Sequence, residues 1–362
     1  MTAGTATLTA GLRDALAQGA GDPPAAQLLR LVRSGGDRLP LPGNGATLQR
    51  WQALSAVAAA DLSLAKLFEG HTDALAILQE VAALRGAQDV PAGPAPAAGD
   101  DASDAGPALW GMWAAEAPGG RVEVHRQAGG QTVLRGTKRW CSGAEHLTHA
   151  LLTAWWPGVE SPQLVAVALR QPGVAVSAQS WQAVGMAGSA SVDVTFDDTP
   201  ATLVGAPGDY LGRPGFWHGG AGVAACWYGG AMAVGRALHQ AVAAAQNGPA
   251  GQPFKEAALG KVDVALAGAA ALLRETAQWI DAHPQADAQA PVLRVRQAVE
   301  AMARQVLDEA TRALGPTLLC RDAAFARRAA DLPVFIRQSH AERDDAALGR
   351  LRAAEPEAPW AL

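Results

Sequence analysis

The spacing of apolar residues changes twice along the chain, and each change marks a different kind of secondary structure. Up to about residue 90, apolar residues recur three and four positions apart, which predicts helices in TATLTAGLRDALAQ (5–18), PAAQLLRLVRSGG (24–36) and the long stretch 48–86. Residues 91–108 contain only Pro, Ala, Gly, Asp and Ser. This composition predicts a surface loop or a domain boundary.

The second pattern begins at Leu109 and consists of short segments rich in Val, Leu, Thr and Trp, partly alternating and separated by Gly, Pro and Asp. The sequence QAGGQ (127–131) is a hairpin-turn signal. Strands without intervening helices indicate a barrel or a sandwich. The predicted strands are 109–116, 121–127, 131–143, 149–156, 163–170, 173–179 and 191–196.

The helical period returns after residue 208 and lasts to the end of the chain. Four long amphipathic helices with short connections predict a bundle. Their expected ranges are 215–247, 253–283, 288–314 and 323–351. The predicted fold class is therefore α+β with several domains: an N-terminal helical domain (1–108), a central β-barrel or sandwich domain (109–208) and a C-terminal four-helix bundle (209–362).

Composition narrows the function classes. The net charge is −5 with no basic run, which argues against nucleic-acid binding. No apolar run reaches membrane-spanning length, and the N-terminus lacks the features of a secretion signal. Three widely spaced cysteines without a CxxC pair predict reduced thiols and a cytoplasmic location, and the scarcity of lysine beside abundant Ala and Gly suggests a bacterial source. We expect a soluble protein without a metal site.

One segment stands out within the β-pattern. In GTKRWCSGA (136–144), Trp140 is followed by Cys141, Ser142 and Gly143 at a predicted strand end. Small residues let the backbone come close to another group, while the indole offers a large flat surface. The alternative is that Trp140 fills the core of a β-domain that contains several tryptophans.

This segment, within the order helices, β-domain, helices, resembles the acyl-CoA dehydrogenase superfamily. That family has a Lys-x-Trp-Ile-Thr-Asn-Gly strand end and holds FAD between its β-domain and its four-helix bundle. The resemblance implies that Trp140 packs beside the isoalloxazine ring and that the hydroxyl of Ser142 faces flavin N5. Cys141, between them, is implied to lie on the same cofactor surface.

A second match is GMAGSASVDVTFDDTPATLVGAPGDYLGRPGF (185–216), which is similar to the family's Gly-Met-Arg-x-Ser segment and the strand after it. Gly185, Met186, Ser189 and Phe196 fit this pattern, while Ala187 replaces the usual Arg.

A third match is WGMWAAEAPGG (110–120), in the place of the family's Thr-Glu-Pro-Gly loop over the pyrimidine end of the flavin. Ala115 stands where the Thr is expected. The resemblance implies cofactor contacts for Trp113, Ala115 and Glu116, and for Gly315 after the third bundle helix.

The sequence departs from the family at the catalytic base. The usual Glu is replaced by Ser339, and the alternative position on the first bundle helix falls near Val223. His340 and Glu342 are the candidate replacements, because an imidazole or a carboxylate can accept a proton. If the segment is helical, Asp344 lies on the same face as His340 and orients its ring. The alternative is a solvent-exposed charged helix.

The sequence is compatible with three functions. The first is an FAD-dependent oxidoreductase that dehydrogenates an acyl thioester or a related small molecule and passes electrons to a partner protein. The second is a flavin-dependent monooxygenase of the same fold, which needs no Glu at that position. The third is a non-catalytic member. The apolar faces of the bundle helices also predict a homodimer or a homotetramer.

Overall fold

The computed structural model describes residues 3–85, 106–245, 252–357 and 360. Most of the loop predicted at 91–108 and of the connection at 247–253 lies outside these residues. The chain forms two compact units: the first comprises Met1–Leu39, Lys66–Ala183 and Ala187–Phe216, and the second comprises Pro40–Ala65, Val184–Met186 and Trp217–Leu362. The division into 1–108, 109–208 and 209–362 stays an interpretation of the sequence.

The N-terminal segment forms four helices, α1 (Ala3–Gln18), α2 (Pro24–Arg33), α3 (Thr47–Ala60) and α4 (Leu62–Arg85). The long periodic stretch 48–86 is therefore two helices. Asp61 separates them with extended backbone angles, and its carboxylate accepts a hydrogen bond from the N–H of Leu64 at 2.7 Å. Such a bond satisfies a donor that has no partner inside the new helix.

All seven predicted strands are present. They are β1 (Trp110–Trp113), β2 (Arg121–Arg126), β3 (Thr132–Cys141), β4 (His149–Ala154), β5 (Gln163–Ala168), β6 (Val174–Ser177) and β7 (Val192–Pro200), joined by a short β8 (Thr202–Val204) that the sequence did not predict. They make two four-stranded sheets with orders β1-β4-β5-β8 and β2-β3-β7-β6. The predicted hairpin connects β2 and β3, with the N–H of Gln127 bonded to the carbonyl of Gln131 at 2.9 Å.

Helix α4 packs on the first of these sheets. Its buried residues pack into one apolar cluster with residues from all four strands, and this cluster fixes the sheet within the first unit. The buried members are Ala74, Ile77, Val81, Trp110, Leu151, Leu164, Ala166 and Val204.

The C-terminal part is helical, as expected. Its helices are α5 (Asp209–Gly212), α6 (Gly215–Ala245), α7 (Pro253–Ala282), α8 (Gln289–Leu314), α9 (Pro316–Arg321), α10 (Ala323–Phe335) and α11 (Glu342–Ala353). The predicted α+β class is thereby confirmed. No helix among the residues described is both long and apolar enough to cross a membrane.

The prediction of one continuous helix over 323–351 is wrong. A 3₁₀ turn, Ile336–Gln338, follows α10, and α11 begins only at Glu342. Side chains replace the helical hydrogen bonds in the gap: Ser339 Oγ accepts from the N–H of Ala341 at 3.0 Å, and Asp344 Oδ2 accepts from the N–H of His340 at 3.2 Å.

Helix α3 belongs to the second unit although it is close to the N-terminus. Asp281, near the end of α7, accepts hydrogen bonds from Thr47 Oγ1 at 2.6 Å and from the N–H groups of Thr47 and Gly45 at 3.0 Å each. Thr47 and Asp281 are 234 positions apart in the sequence. These bonds fix the start of α3 to α7.

Candidate functional site

The end of β3 presents Trp140 to solvent in an unusual backbone conformation. Its φ angle is +59°, and the residue is 53% exposed. The pairing of β3 with β7 shifts register between Lys138 and Cys141, and both residues inside this bulge, Arg139 and Trp140, are exposed. A left-handed φ costs about 1–2 kcal/mol in a residue with a side chain, and such outliers cluster at ligand sites. An indole this exposed does not fill the core.

Trp113 at the end of β1 and the loop after it (114–120) are hydrogen-bonded to the end of β3 within the first unit. Side chains make all three contacts: Trp113 Nε1 donates to the carbonyl of Ser142 at 3.2 Å, Lys138 Nζ donates to Glu116 Oε1 at 2.7 Å, and Arg139 Nη1 donates to the carbonyl of Pro118 at 2.7 Å. Gly120 lets Arg139 lie flat on this loop, because a Cβ there would be 2.9 Å from Arg139 Cγ. The first and third matching segments, 136–144 and 110–120, therefore form one surface, which is the candidate surface.

Lys138 lies under this surface and is almost completely buried. Besides Glu116 it donates to the carbonyl and to Oγ1 of Thr153, at 3.0 and 2.8 Å. Thr153 Oγ1 in turn donates to Glu116 Oε1 at 2.6 Å. Burial lowers the pKa of Lys138, and the carboxylate of Glu116 opposes that shift. Glu116 is thus restrained at one oxygen while its side chain is 39% exposed.

Three buried serine hydroxyls form a chain beside Trp140. Ser142 Oγ lies 2.8 Å from Ser191 Oγ, and Ser191 Oγ lies 3.0 Å from Ser189 Oγ. The N–H of Gly143 also donates to the carbonyl of Ser189 at 2.8 Å. The hydroxyl of Ser142 is therefore held by the segment that leads into β7.

Two other candidates in the first unit, Cys141 and Ala115, differ in exposure. Cys141 is fully buried, its thiol donates to the carbonyl of Lys138 at 3.3 Å, and burial raises its pKa. Cys141 therefore exposes neither its thiol nor its main chain. Ala115 is exposed in the loop 114–120, so a cofactor contact there would use its backbone. The roles of both residues stay predictions.

The second matching segment meets the C-terminal region inside the second unit. Asp331 Oδ1 accepts a hydrogen bond from the N–H of Met186 at 2.5 Å, and burial raises the pKa of Asp331. Gly185 is needed for this approach, because a Cβ there would lie 2.0 Å from the carbonyl oxygen of Ala330. Ala187, in place of the family's Arg, is exposed.

The candidate bases lie in and after the gap between α10 and α11, also in the second unit. His340 and Asp344 pair as predicted, with Nδ1 and Oδ1 3.3 Å apart, although His340 precedes the helix. The side chain of His340 is 63% exposed, whereas Asp344 is mostly buried. Glu342 is exposed at the first position of α11, and Ser339 is buried. No contact tests a catalytic role for His340 or Glu342.

Side chains of helix α8 are hydrogen-bonded to the segment 336–341 between α10 and α11. Arg296 donates to the carbonyls of Gln338, at 3.1 Å, and Gly220, and its guanidinium lies over the Trp227 ring. Gln297 Nε2 donates to the carbonyl of Ala341 at 3.3 Å. The position of His340 therefore depends on α8 as well as on Asp344.

The remaining candidates are less informative. Gly315 ends α8 with a φ of +67° and has open space where a Cβ would lie, so its backbone conformation explains the glycine without a cofactor. Val223 is half-buried in α6. The cofactor contact proposed for Gly315 stays a prediction.

Sequence reasoning missed the supporting residues of the surface. Lys138, Thr153 and Ser191 were not singled out, although a lysine inside a β-pattern of a chain with only four lysines was a usable signal. Ser191 and Thr153 carried no such signal, because serines and threonines are common in strands and turns.

No protein-family model matches the chain, and no curated protein matches its sequence. Solved structures match it over almost its whole length. KijD3, in complex with FMN and dTDP-3-amino-2,3,6-trideoxy-4-keto-3-methyl-D-glucose, is 19% identical with a TM-score of 0.78, covering 98% of this chain and 94% of that one.

Two further structures agree with the first. TdsC from Paenibacillus sp. A11-2, a dibenzothiophene monooxygenase solved with FMN and indole, is 17% identical with a TM-score of 0.77 and 97% of each chain covered. The nitrososynthase from Micromonospora carbonacea var. africana is 18% identical with a TM-score of 0.76, covering 99% of this chain and 98% of that one. At these identities the similarity establishes the fold, which is acyl-CoA dehydrogenase-like, as predicted.

Proposed function

We propose that this chain is a flavin-dependent monooxygenase that acts on a small organic molecule. The observation that carries the proposal is the end of β3, where an exposed indole in a strained conformation adjoins the buried hydroxyl of Ser142. Strain of this kind persists only where the surroundings impose it. Here the bulge in β3 and the contacts to Trp113 and to loop 114–120 do so.

The residues present fit an isoalloxazine ring. Trp140 offers a flat apolar face, and aromatic rings stack or pack edge to face on such a surface. Ser142 supplies a hydroxyl that can donate or accept, and the exposed backbone of loop 114–120 can approach the polar edge of the ring. The family that the sequence resembles uses FAD and two of the similar structures contain FMN, so the proposal is a flavin in either form.

A bound reduced flavin supplies the two electrons that, with O₂ and two protons, place one oxygen atom on the substrate and release the other as water. The chain itself has to hold the ring, exclude water and orient one hydrogen bond at the ring edge. Trp140 serves the first two tasks, and Ser142 serves the third. The reduced flavin comes from a separate reductase, which is the electron-transfer partner of this proposal.

Oxygenation is favoured over dehydrogenation by the residue in the place of the family's base. Removal of the α-proton of an acyl thioester needs a group that accepts a proton near neutral pH. Ser339 occupies the expected position, is buried, and already accepts the N–H of Ala341. A serine hydroxyl held in this way does not serve as that base.

Dehydrogenation of an acyl thioester is the second candidate, and the pairing of His340 with Asp344 favours it. A carboxylate beside an imidazole orients the ring and stabilises its protonated form. Under this function, His340→Ala or Glu342→Ala lowers the rate of flavin reduction by about 10²- to 10⁴-fold. Reduction at the parent rate in both variants would remove dehydrogenation from consideration.

The experiment that tests the proposal has two stages. The purified protein is first titrated with FMN and with FAD, and binding is followed by flavin absorption and fluorescence. The complex is then reduced, and an acyl-CoA panel without oxygen is compared with candidate small-molecule substrates in the presence of oxygen. Substrate-dependent incorporation of an atom from ¹⁸O₂ supports the proposal, and bleaching by acyl-CoA supports the second candidate. Failure to bind either flavin refutes both.

A further inference from the structure

We infer that Ser191 is a positioning residue that sets the direction of the hydrogen bond made by the Ser142 hydroxyl and lets that direction reverse when the flavin is reduced. The inference rests on the proposed function, because it places the Ser142 hydroxyl at the flavin ring. It extends that function to a residue outside the predicted cofactor surface.

The geometry restricts the hydroxyl protons to a few arrangements. Ser142 Oγ and Ser191 Oγ lie 2.8 Å apart, so only one of their two protons can occupy that contact. Among the residues described, Ser142 Oγ makes no other hydrogen bond. Either Ser191 donates to Ser142 and leaves the Ser142 proton free for a ligand, or Ser142 donates to Ser191 and offers the ligand only lone pairs.

The chain continues beyond Ser191, and this continuation makes the reversal possible. Ser191 Oγ lies 3.0 Å from Ser189 Oγ, so a Ser191 hydroxyl that receives the Ser142 proton can turn its own proton towards Ser189. All three residues are at most 8% exposed, so water does not readily take the place of a missing partner. A buried donor without an acceptor is destabilising.

The flavin ring needs a hydrogen-bond donor from the protein in one redox state and a hydrogen-bond acceptor in the other. Its N5 atom accepts a hydrogen bond when the ring is oxidised and carries a hydrogen when the ring is reduced. Ser142 therefore has to donate in the first state and accept in the second. In the second state its own proton has to go to Ser191.

Replacing Ser191 by Ala should accordingly weaken binding of the reduced flavin more than binding of the oxidised flavin. In the oxidised state the Ser142 hydroxyl still donates to the ring. The variant removes only the hydrogen bond that Ser142 accepts from Ser191. In the reduced state its buried proton has no acceptor. We expect the ratio of the two dissociation constants to change by about tenfold, which lowers the two-electron midpoint potential by about 30 mV.

The test measures the dissociation constants of oxidised and reduced FMN and the midpoint potential of the bound flavin in the parent, Ser191→Ala and Ser191→Thr proteins. Ser191→Thr keeps the hydroxyl and should behave as the parent does. Thermal unfolding of the flavin-free proteins checks that the fold is retained. If Ser191→Ala does not fold, Ser189→Ala, which removes the hydroxyl that accepts the Ser191 proton, is measured instead and should lower the potential in the same direction.

A double-mutant cycle separates this role from a structural one. In a Ser142→Ala background, Ser191→Ala should leave the potential unchanged, because the hydroxyl that it orients is gone. A shift that persists in that background, or equal weakening of both redox states, overturns the inference and leaves the proposed function intact. If no variant and no parent protein binds flavin, the proposed function falls and the inference falls with it.

Discussion

Trp140 carries its indole on a backbone conformation that most residues avoid, and we expect changes there to affect ligand binding and folding differently. A side chain that is 53% exposed contributes little to the core. Its contact area becomes useful only when a ligand covers it. Sequence reasoning located this residue through its small neighbours, but the bulge that exposes it depends on pairing with β7 and has no local signature.

We expect Trp140→Ala to raise the dissociation constant for flavin at least tenfold while changing the free energy of unfolding by less than about 1 kcal/mol, because exposed aromatic surface adds little to folding. Flavin titration and urea unfolding measure the two quantities. Trp360→Ala, at another highly exposed tryptophan, is the matched control and should change neither. Unchanged flavin affinity in the Trp140 variant would refute a ligand role.

For Lys138 we expect the opposite, a loss of folding stability, because its hydrogen-bond partners lie in the interior. We expect Lys138→Met to lower the free energy of unfolding by about 1–3 kcal/mol, since it removes the donor to Glu116 and Thr153. Freed from Lys138, the loop 114–120 should also become more accessible to protease. Lys261→Met, which breaks the exposed pair with Glu309, should change stability by less than about 0.5 kcal/mol. Equal effects in urea unfolding would show that burial of Lys138 is unimportant.

Among the elements, the strands were easier to predict than the helix ends. The strands are short segments rich in Val, Leu, Thr and Trp, partly alternating and separated by glycines, prolines or aspartates, and these signals are local. The break between α10 and α11 has no such signal. The side chains of Ser339 and Asp344 bond backbone N–H groups two and four positions away, and so compete with the helix for them. A pattern of apolar spacing does not show which competitor wins.

The break leaves Ala341 with a φ of +46° and a ψ of −120°, a conformation suited to glycine. We expect Ala341→Gly to raise the free energy of unfolding by about 0.5–1 kcal/mol, because it relieves this strain. Ala346→Gly, at an exposed position inside α11, should instead lower it by about 0.5–1 kcal/mol. Thermal or urea unfolding of both variants checks the contrast, and destabilisation by both would mean that Ala341 is not strained.

The hydrogen bond from the N–H of Met186 to Asp331 in α10 predicts that the free energy of unfolding depends on pH. Burial raises the pKa of Asp331, so between its unfolded value of about 3.9 and its raised folded value the folded state binds more protons. The free energy of unfolding therefore falls as pH rises through that window. In Asp331→Asn, which keeps the acceptor for the N–H of Met186, this decrease should disappear.

Urea unfolding across a pH series compares the parent protein with Asp331→Asn. The stability difference should move in favour of the Asn variant as pH rises. Asp331→Ala, which also removes the acceptor, should be less stable than Asp331→Asn at every pH. A difference that does not depend on pH would refute the assignment.

For the molecule as a whole, the order of helices, strands and helices was enough to predict the fold class. The sequence could not predict that Pro40–Ala65 joins the second unit. That assignment depends on bonds such as Thr47 to Asp281, between residues that are distant in sequence. For the candidate surface, the sequence predicted the residues proposed to contact a cofactor. It did not predict the buried residues beneath them, which sheet pairing brings together.

The homodimer or homotetramer predicted from the apolar faces of the C-terminal helices stays a prediction. We expect light scattering at micromolar concentration to give at least twice the mass of 37.1 kDa. A mass of one chain would contradict it.

The bond between Thr47 and Asp281 also orders events during synthesis. A ribosome adds about 5–20 residues per second, so α3 leaves the exit tunnel roughly 10–50 s before the segment that contains Asp281 has been made. During that interval α3, whose Leu54 and Val57 are fully buried in the finished protein, lacks α7, a helix that it contacts there. The nascent chain therefore passes through a stage with an uncovered apolar helix, where a holding chaperone would find a binding site that the folded protein no longer offers.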